Sequence, residues 1–110
     1  AISNMNGKYS PPYEEYKASN SYSVSGWTIG CYRVGNVCSI TITGTSTSDF
    51  AYNQTIYSLP DIYKNLNSAV YFAGNFWIYI NSNGAITSLG SINSGTIMEA
   101  TATYIARNQV

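Results

Sequence analysis

From Trp27 to Thr43 the chain alternates apolar and polar residues, and a Gly35-Asn36 pair interrupts the run near its centre. Alternation with a period of two puts successive side chains on opposite faces of an extended strand, so this stretch predicts two strands joined by a tight turn. Gly35-Asn36 suits a two-residue hairpin loop that needs positive φ. In that register Arg33 faces Cys38, Cys31 faces Ile40 and Ile29 faces Ile42. Trp27, Ile29, Cys31, Cys38, Ile40 and Ile42 then share one face, with Thr28, Ser39, Thr41 and Thr43 on the other. A four-residue loop preserves both faces, whereas a three-residue loop would turn one strand's apolar set into water.

Downstream, residues 44–49 form a polar loop. Residues 55–59 predict a short strand that ends at Pro60, which has no N–H to give a ladder. Residues 61–67 predict a loop with at most one helical turn. Residues 69–73 and 76–80 predict strands around a second Gly-Asn pair, Gly74-Asn75. Asn83-Gly84 is the strongest hairpin-turn signal and joins residues 78–80 to 85–89. Asn93-Ser94-Gly95 then turns the chain into a long closing strand over 96–106.

Upstream, no apolar period runs through residues 1–22. Pro11-Pro12 favours an extended, polyproline-like backbone, and Tyr9, Tyr13, Tyr16 and Tyr22 recur as if to lie across a surface. The sequence therefore predicts an irregular N-terminal arm or connector over 1–22, then a β-sandwich head over 23–110. About seven short strands with no convincing helix, enriched in Thr, Tyr, Ile and Val, predict an all-β fold: an antiparallel β-sandwich or jelly-roll-like barrel.

Charge narrows the partners. Only 9% of the 110 residues are charged and the formal net charge is zero. No basic run is present to track a phosphate backbone, which argues against nucleic acid. A neutral surface gives little steering toward an anionic membrane. No apolar run approaches the roughly 20 residues that span a bilayer, so membrane insertion is not expected. A polar, uncharged surface rich in Tyr and Asn suits neutral partners such as sugars. At 110 residues the chain is one domain with room for a core.

Cys31 and Cys38 share a hairpin face. They would lie opposite each other with a four-residue loop and diagonal with a two-residue loop, and bridging needs Cα atoms within about 7 Å. The alternative is two small buried apolar side chains. With no His and no second Cys pair, a metal or redox role is not expected.

Catalysis has little to draw on. The absence of His removes the commonest general base and triad partner. Glycoside hydrolysis usually needs two carboxylates about 5 to 10 Å apart. Asp49, Asp61 and Glu99 are the acids of the predicted head, and nothing in their spacing pairs them. No catalytic residue, metal ligand or cofactor is predicted.

The aromatics carry more information. In residues 76–80, Phe76, Ile78 and Ile80 fit the core, which leaves Trp77 and Tyr79 projecting together from the opposite face. Such a pair serves a subunit interface, a stacked sugar or ordinary intrachain packing, and the sequence leaves all three open. Tyr52 and Asn53, with Asp49, form either a ligand site or a hydrogen-bonded loop. The candidate saccharide-binding residues are Asp49, Tyr52, Asn53, Trp77 and Tyr79.

These motifs together resemble the C-terminal head domain of phage tail and baseplate receptor-binding proteins. Gly26-Trp27 followed by Tyr32-Arg33-Val34-Gly35-Asn36-Val37 is similar to that family's opening hairpin. Leu59-Pro60 with Tyr63 resembles its Leu-Pro step, residues 78–86 its Gly-containing hairpin, and residues 92–105 its closing strand. Two departures stand out: Asp61-Ile62-Tyr63-Lys64 replaces Gly-Tyr-Arg-Pro, and the cysteines occupy positions expected to be aliphatic. The resemblance implies a homotrimeric head at a virion tail tip, assembled in the host cytoplasm, that recognises host cell-wall saccharide without catalysis. Other tail or baseplate proteins would attach through its N-terminal side. A monomeric lectin or carbohydrate-binding module of a secreted protein, or a purely structural tail domain, are the alternatives.

Overall fold

The computed structural model describes residues 15–110; the Pro11-Pro12 segment, Tyr9 and Tyr13 lie outside them. Among the described residues nine strands follow one another: β1 Lys17–Val24, β2 Trp27–Val34, β3 Val37–Thr45, β4 Thr55–Ser58, β5 Ala69–Tyr71, β6 Ala73–Gly74, β7 Ile78–Asn81, β8 Ala85–Ser88 and β9 Ile97–Ile105. A single 3₁₀ turn, Asp61–Tyr63, sits between β4 and β5. The strands form two antiparallel sheets, ordered β1-β2-β3-β9-β6 and β4-β8-β7-β5. Their inner faces meet in one core, with Trp27, Ile29, Ile40, Ile42 and Met98 from the larger sheet and Ile78, Ile80 and Ile86 from the smaller. The chain is thus the all-β, sandwich-like fold its alternation predicts.

The β2–β3 hairpin takes the two-residue loop. Val34 pairs with Val37, Arg33 with Cys38, Cys31 with Ile40 and Ile29 with Ile42. Gly35 alone of the two loop residues adopts positive φ, at 57°, as a type II′ turn requires. All six residues assigned to the inner face are buried.

Two strands were hidden in the sequence. β1 begins at Lys17, inside the stretch expected to be irregular up to residue 22, and pairs with β2 along its whole length. Ala18, Tyr22 and Val24 pack against the core, but the fourth position of that face is Asn20, which stays exposed while its side-chain oxygen accepts from the Tyr63 hydroxyl at 2.6 Å. One polar residue on that face and a Ser-rich outer face blur the alternation. Ser25-Gly26, with φ of 49° and 85°, is the tight turn that delivers the chain from β1 to β2.

The second hidden strand is β6. Gly74-Asn75 does not close a hairpin; it carries the chain across to the larger sheet, where Ala73 and Gly74 pair with Thr101 and Ala100 of β9. A Cβ on Gly74 would meet the Glu99 carbonyl oxygen and stand 2.7 Å from the Ala100 Cα, so only glycine permits this approach. Asn75 then clamps β9 from both sides of its carboxamide, donating to the Ile97 carbonyl at 2.6 Å and accepting from the Glu99 N–H at 2.9 Å. The hairpin proper pairs β5 with β7 (Tyr71 opposite Tyr79), with residues 72–77 as a strap between them.

The outer face of the larger sheet carries cross-strand rows of hydroxyls, one of them interrupted at Gly30. Ser19, Tyr32, Ser39 and Thr103 form one row, and Ser21, Gly30, Thr41 and Thr101 the next.

At one end of the sandwich Arg33 is buried, 1% exposed. Its guanidinium donates to the carbonyls of Gly35 (2.8 Å), Ile62 (2.6 Å) and Asn108 (2.5 Å) and to the Asn36 side chain (3.1 Å). Tyr16 lies over its face, 5.1 Å from ring centroid to guanidinium carbon. The ion pair present among the described residues is elsewhere, Lys64 with Asp61 at 2.9 Å. Hydrogen bonds to a charged group contribute about 1.5 to 3 kcal/mol each, and each buried acceptor left without its donor costs about 1 to 3 kcal/mol. Replacing Arg33 with Met should therefore lower unfolding free energy by at least about 3 kcal/mol in a urea titration. A loss under about 1 kcal/mol would contradict the role assigned to it.

Cys31 and Cys38 are unbridged and buried. Burial, with the neighbouring Cys38 thiol adding to it, pushes the Cys31 thiol up to about 12. Burial likewise lifts Tyr63 to about 12 and raises Cys38 and Tyr104. Above about pH 9 the unfolded chain releases these protons while the folded chain keeps them, so stability present below that pH is lost as pH climbs toward 12. Melting temperature should fall progressively from pH 9 to 11, and a thiol reagent at pH 8 should label neither cysteine until the chain is unfolded.

Candidate functional site

A cleft of about 570 Å³ opens where β5 ends, β7 begins and β8 ends. It lies away from Arg33: β2 starts at Trp27, whose ring stacks on Phe50 at 5.2 Å, and Tyr52 follows two residues on. Tyr52, Tyr71 and Trp77 form the rim, 68%, 64% and 78% exposed. Phe72 and the half-buried Leu89 form the base, and Ile78 lies fully buried beneath them. Among the described residues no charged side chain lines the cleft.

Each wall is fixed by hydrogen bonds. The strap leaves Trp77 facing outward, and its carbonyl accepts from the Leu89 N–H at 2.8 Å, while the Phe72 N–H donates to the Ile78 carbonyl at 3.0 Å. These two bonds tie the base to the Trp77 side. Tyr52 sits in a turn closed by the Gln54 N–H donating to the Ala51 carbonyl (3.2 Å) and the Ala51 N–H donating to Gln54 Oε1 (2.8 Å). The Ser88 hydroxyl, fully buried, reaches the same Ala51 carbonyl at 2.7 Å. The Asn53 N–H donates to the Ser88 carbonyl at 2.9 Å, with Asn53 in the left-handed region at φ 64°, a conformation asparagine tolerates. Tyr71 stacks on Tyr79 across the β5–β7 pair, ring centroids 5.6 Å apart. The backbone that carries the rim is therefore held in place before any ligand arrives, which limits the ordering entropy of binding to the exposed side chains.

Of the residues singled out from the sequence, Tyr52 and Trp77 meet on this cleft although they are far apart in the chain. Tyr79 supports Tyr71 from behind, half-buried, and does not line the cleft. Asn53 stands beside Tyr52 and holds the loop through its backbone. Asp49 does not join them: its carboxylate accepts the Ser94 N–H at 2.6 Å and fixes the turn that leads into β9. Among the described residues no cluster of His, Cys, Asp or Glu is placed to hold a metal ion.

Tyr71, Phe72 and Leu89 are the cleft residues that sequence reasoning did not find. Tyr71 was detectable in principle, because a β5–β7 hairpin centred on Asn75 puts it opposite Tyr79. Leu89 carries no signal, since its place on the base depends on where β8 ends against the strap. No protein-family model matches the chain, and no curated protein is significantly similar to it.

Proposed function

We propose that the chain is the head of a phage tail or baseplate receptor-binding protein that recognises neutral host cell-surface saccharide without catalysis, acting at the virion tail tip. The observation that carries this reading is the uncharged cleft rimmed by three exposed aromatic rings. A pyranose presents an apolar C–H face that stacks on an aromatic ring and hydroxyl edges that bond to polar groups. Tyr52 and Tyr71 offer hydroxyls and Trp77 an indole N–H at the same rim. The volume lies within the about 300 to 1,000 Å³ typical of small-molecule sites. A cleft without charge favours a neutral sugar over an anionic one.

A single shallow site of this kind binds weakly. Repetition in a homotrimer, and again around a tail tip, raises effective affinity without any new contact. The N-terminal side, which precedes β1, is the expected attachment to other tail or baseplate proteins.

The two tryptophans make the site readable. Trp27 is 1% exposed and Trp77 78%, so a fluorescence change on adding cell-wall oligosaccharide reports on Trp77. Trp77→Ala should weaken binding to wall fragments at least about tenfold and leave the unfolding midpoint unchanged; undiminished binding would refute the assignment of the site. Light scattering coupled to size exclusion should give a mass near three times the 12.0 kDa chain, and a monomer would refute the trimer as a property of these residues.

A further inference from the structure

We infer that the cleft seats a methyl-bearing substituent of a neutral sugar, an acetamido or 6-deoxy group, on Phe72 and Leu89 beneath the aromatic rim; this rests on the saccharide reading above. The rim and the base differ in chemistry. The rim holds the polar groups of the site, the Tyr52 and Tyr71 hydroxyls and the Trp77 indole N–H. The base is apolar: Phe72 and Leu89, with Ile78 below.

The backbone gives the base no spare donor. The N–H groups of Phe72 and Leu89 are already spent on the carbonyls of Ile78 and Trp77, at 3.0 and 2.8 Å. A plain hexose carries a hydroxyl or hydroxymethyl at almost every edge. Turning one of these onto the Phe72 and Leu89 side chains would strip it of water against groups that neither donate nor accept, which is unfavourable. A methyl group in the same place gains burial against both side chains. The sugar that fits best thus points an apolar substituent down and its hydroxyls up to the rim. A carboxylate or phosphate would find no cation among the lining residues.

Discrimination by one methyl in an apolar pocket is worth roughly 10- to 200-fold. The test titrates N-acetylglucosamine, rhamnose, glucose and glucuronic acid against the chain by calorimetry, with saturation-transfer NMR on the same samples. At least one methyl-bearing sugar should bind about tenfold or more tighter than glucose, with saturation strongest on its methyl protons. Which of the two leads identifies the substituent. Glucuronic acid should bind no better than glucose. Leu89→Asn should erase the advantage and leave glucose-level binding, and the methyl saturation in the parent chain keeps the test decisive if that variant does not fold. Equal binding of all neutral sugars, abolished by Trp77→Ala, would overturn this inference and leave the saccharide site standing. Failure of every neutral sugar to bind would overturn both.

Discussion

One buried cation closes an end of this molecule. Arg33 links the β2–β3 turn to the 3₁₀ turn and to the last residues of the chain through four hydrogen bonds. Asn36, which accepts one of them, also accepts the Val110 N–H at 2.8 Å, and its carbonyl takes the Ala106 N–H at 2.8 Å. Nearby, the Tyr104 hydroxyl donates to the Tyr63 carbonyl and Asn108 to the Asp61 carbonyl. A desolvated guanidinium is tolerable because four of its five N–H donors are met and Tyr16 covers its face, and a fixed fork of donors demands a fixed set of acceptors. That requirement gives the stretch from Tyr32 to Val37 a physical content: Arg33 supplies the donors, Gly35 the turn and one carbonyl, and Asn36 the side-chain acceptor. With loops and chain terminus pinned at this end, the opposite end is free to carry a site.

There, placement depends on the strap rather than on a strand. Gly74 and Asn75 bind the strap to β9 of the larger sheet, and the chain must then return to the smaller sheet to begin β7. Phe76 and Trp77 occupy the return, so Trp77 stands outside both sheets with its ring in solvent. The cleft is lined where this return meets the ends of β5 and β8, by Tyr71, Phe72, Trp77 and Leu89 together with Tyr52. A small β-sandwich thus gains a concave site without a long loop, by sending a few residues across to its other sheet.

How much was legible follows from what each segment buries. The two faces of the β2–β3 hairpin were legible because six inward positions are apolar and an even-length loop at Gly35-Asn36 keeps them together; the choice of two loop residues over four was not, and the Val34–Val37 pairing decides it. The closing strand was legible for the same reason, since Met98, Ala100, Ala102 and Tyr104 alternate with exposed residues, while the β7–β8 hairpin was legible mainly through its Asn83-Gly84 turn, because in β8 Ile86 is followed by buried Thr87 and Ser88. β1 was not, because polar Asn20 interrupts the face shared by Ala18, Tyr22 and Val24 and is engaged by Tyr63, a contact between residues far apart in sequence. β6 was not, because two residues cannot show a period and Gly74-Asn75 has the composition of a turn. The outward aromatics were legible as outward, yet their convergence on one cleft was not. Tyr52 reaches Trp77 only because Ser88 and the end of β8 hold the Tyr52 loop against the sheet. Asp49 had the right residue type for a sugar contact and was instead engaged by the Ser94 amide.

The central claim is that the strap-built aromatic cleft, and not the hydroxyl-bearing face of the larger sheet, meets the ligand. The most direct measurement is an amide and indole chemical-shift map recorded while neutral cell-wall oligosaccharide is added. The account predicts shifts at Tyr52, Asn53, Tyr71, Leu89 and the Trp77 indole, with the Thr41 and Thr101 amides unmoved. Shifts gathered on Thr41, Thr101 and their row, with the Trp77 indole unmoved, would contradict it.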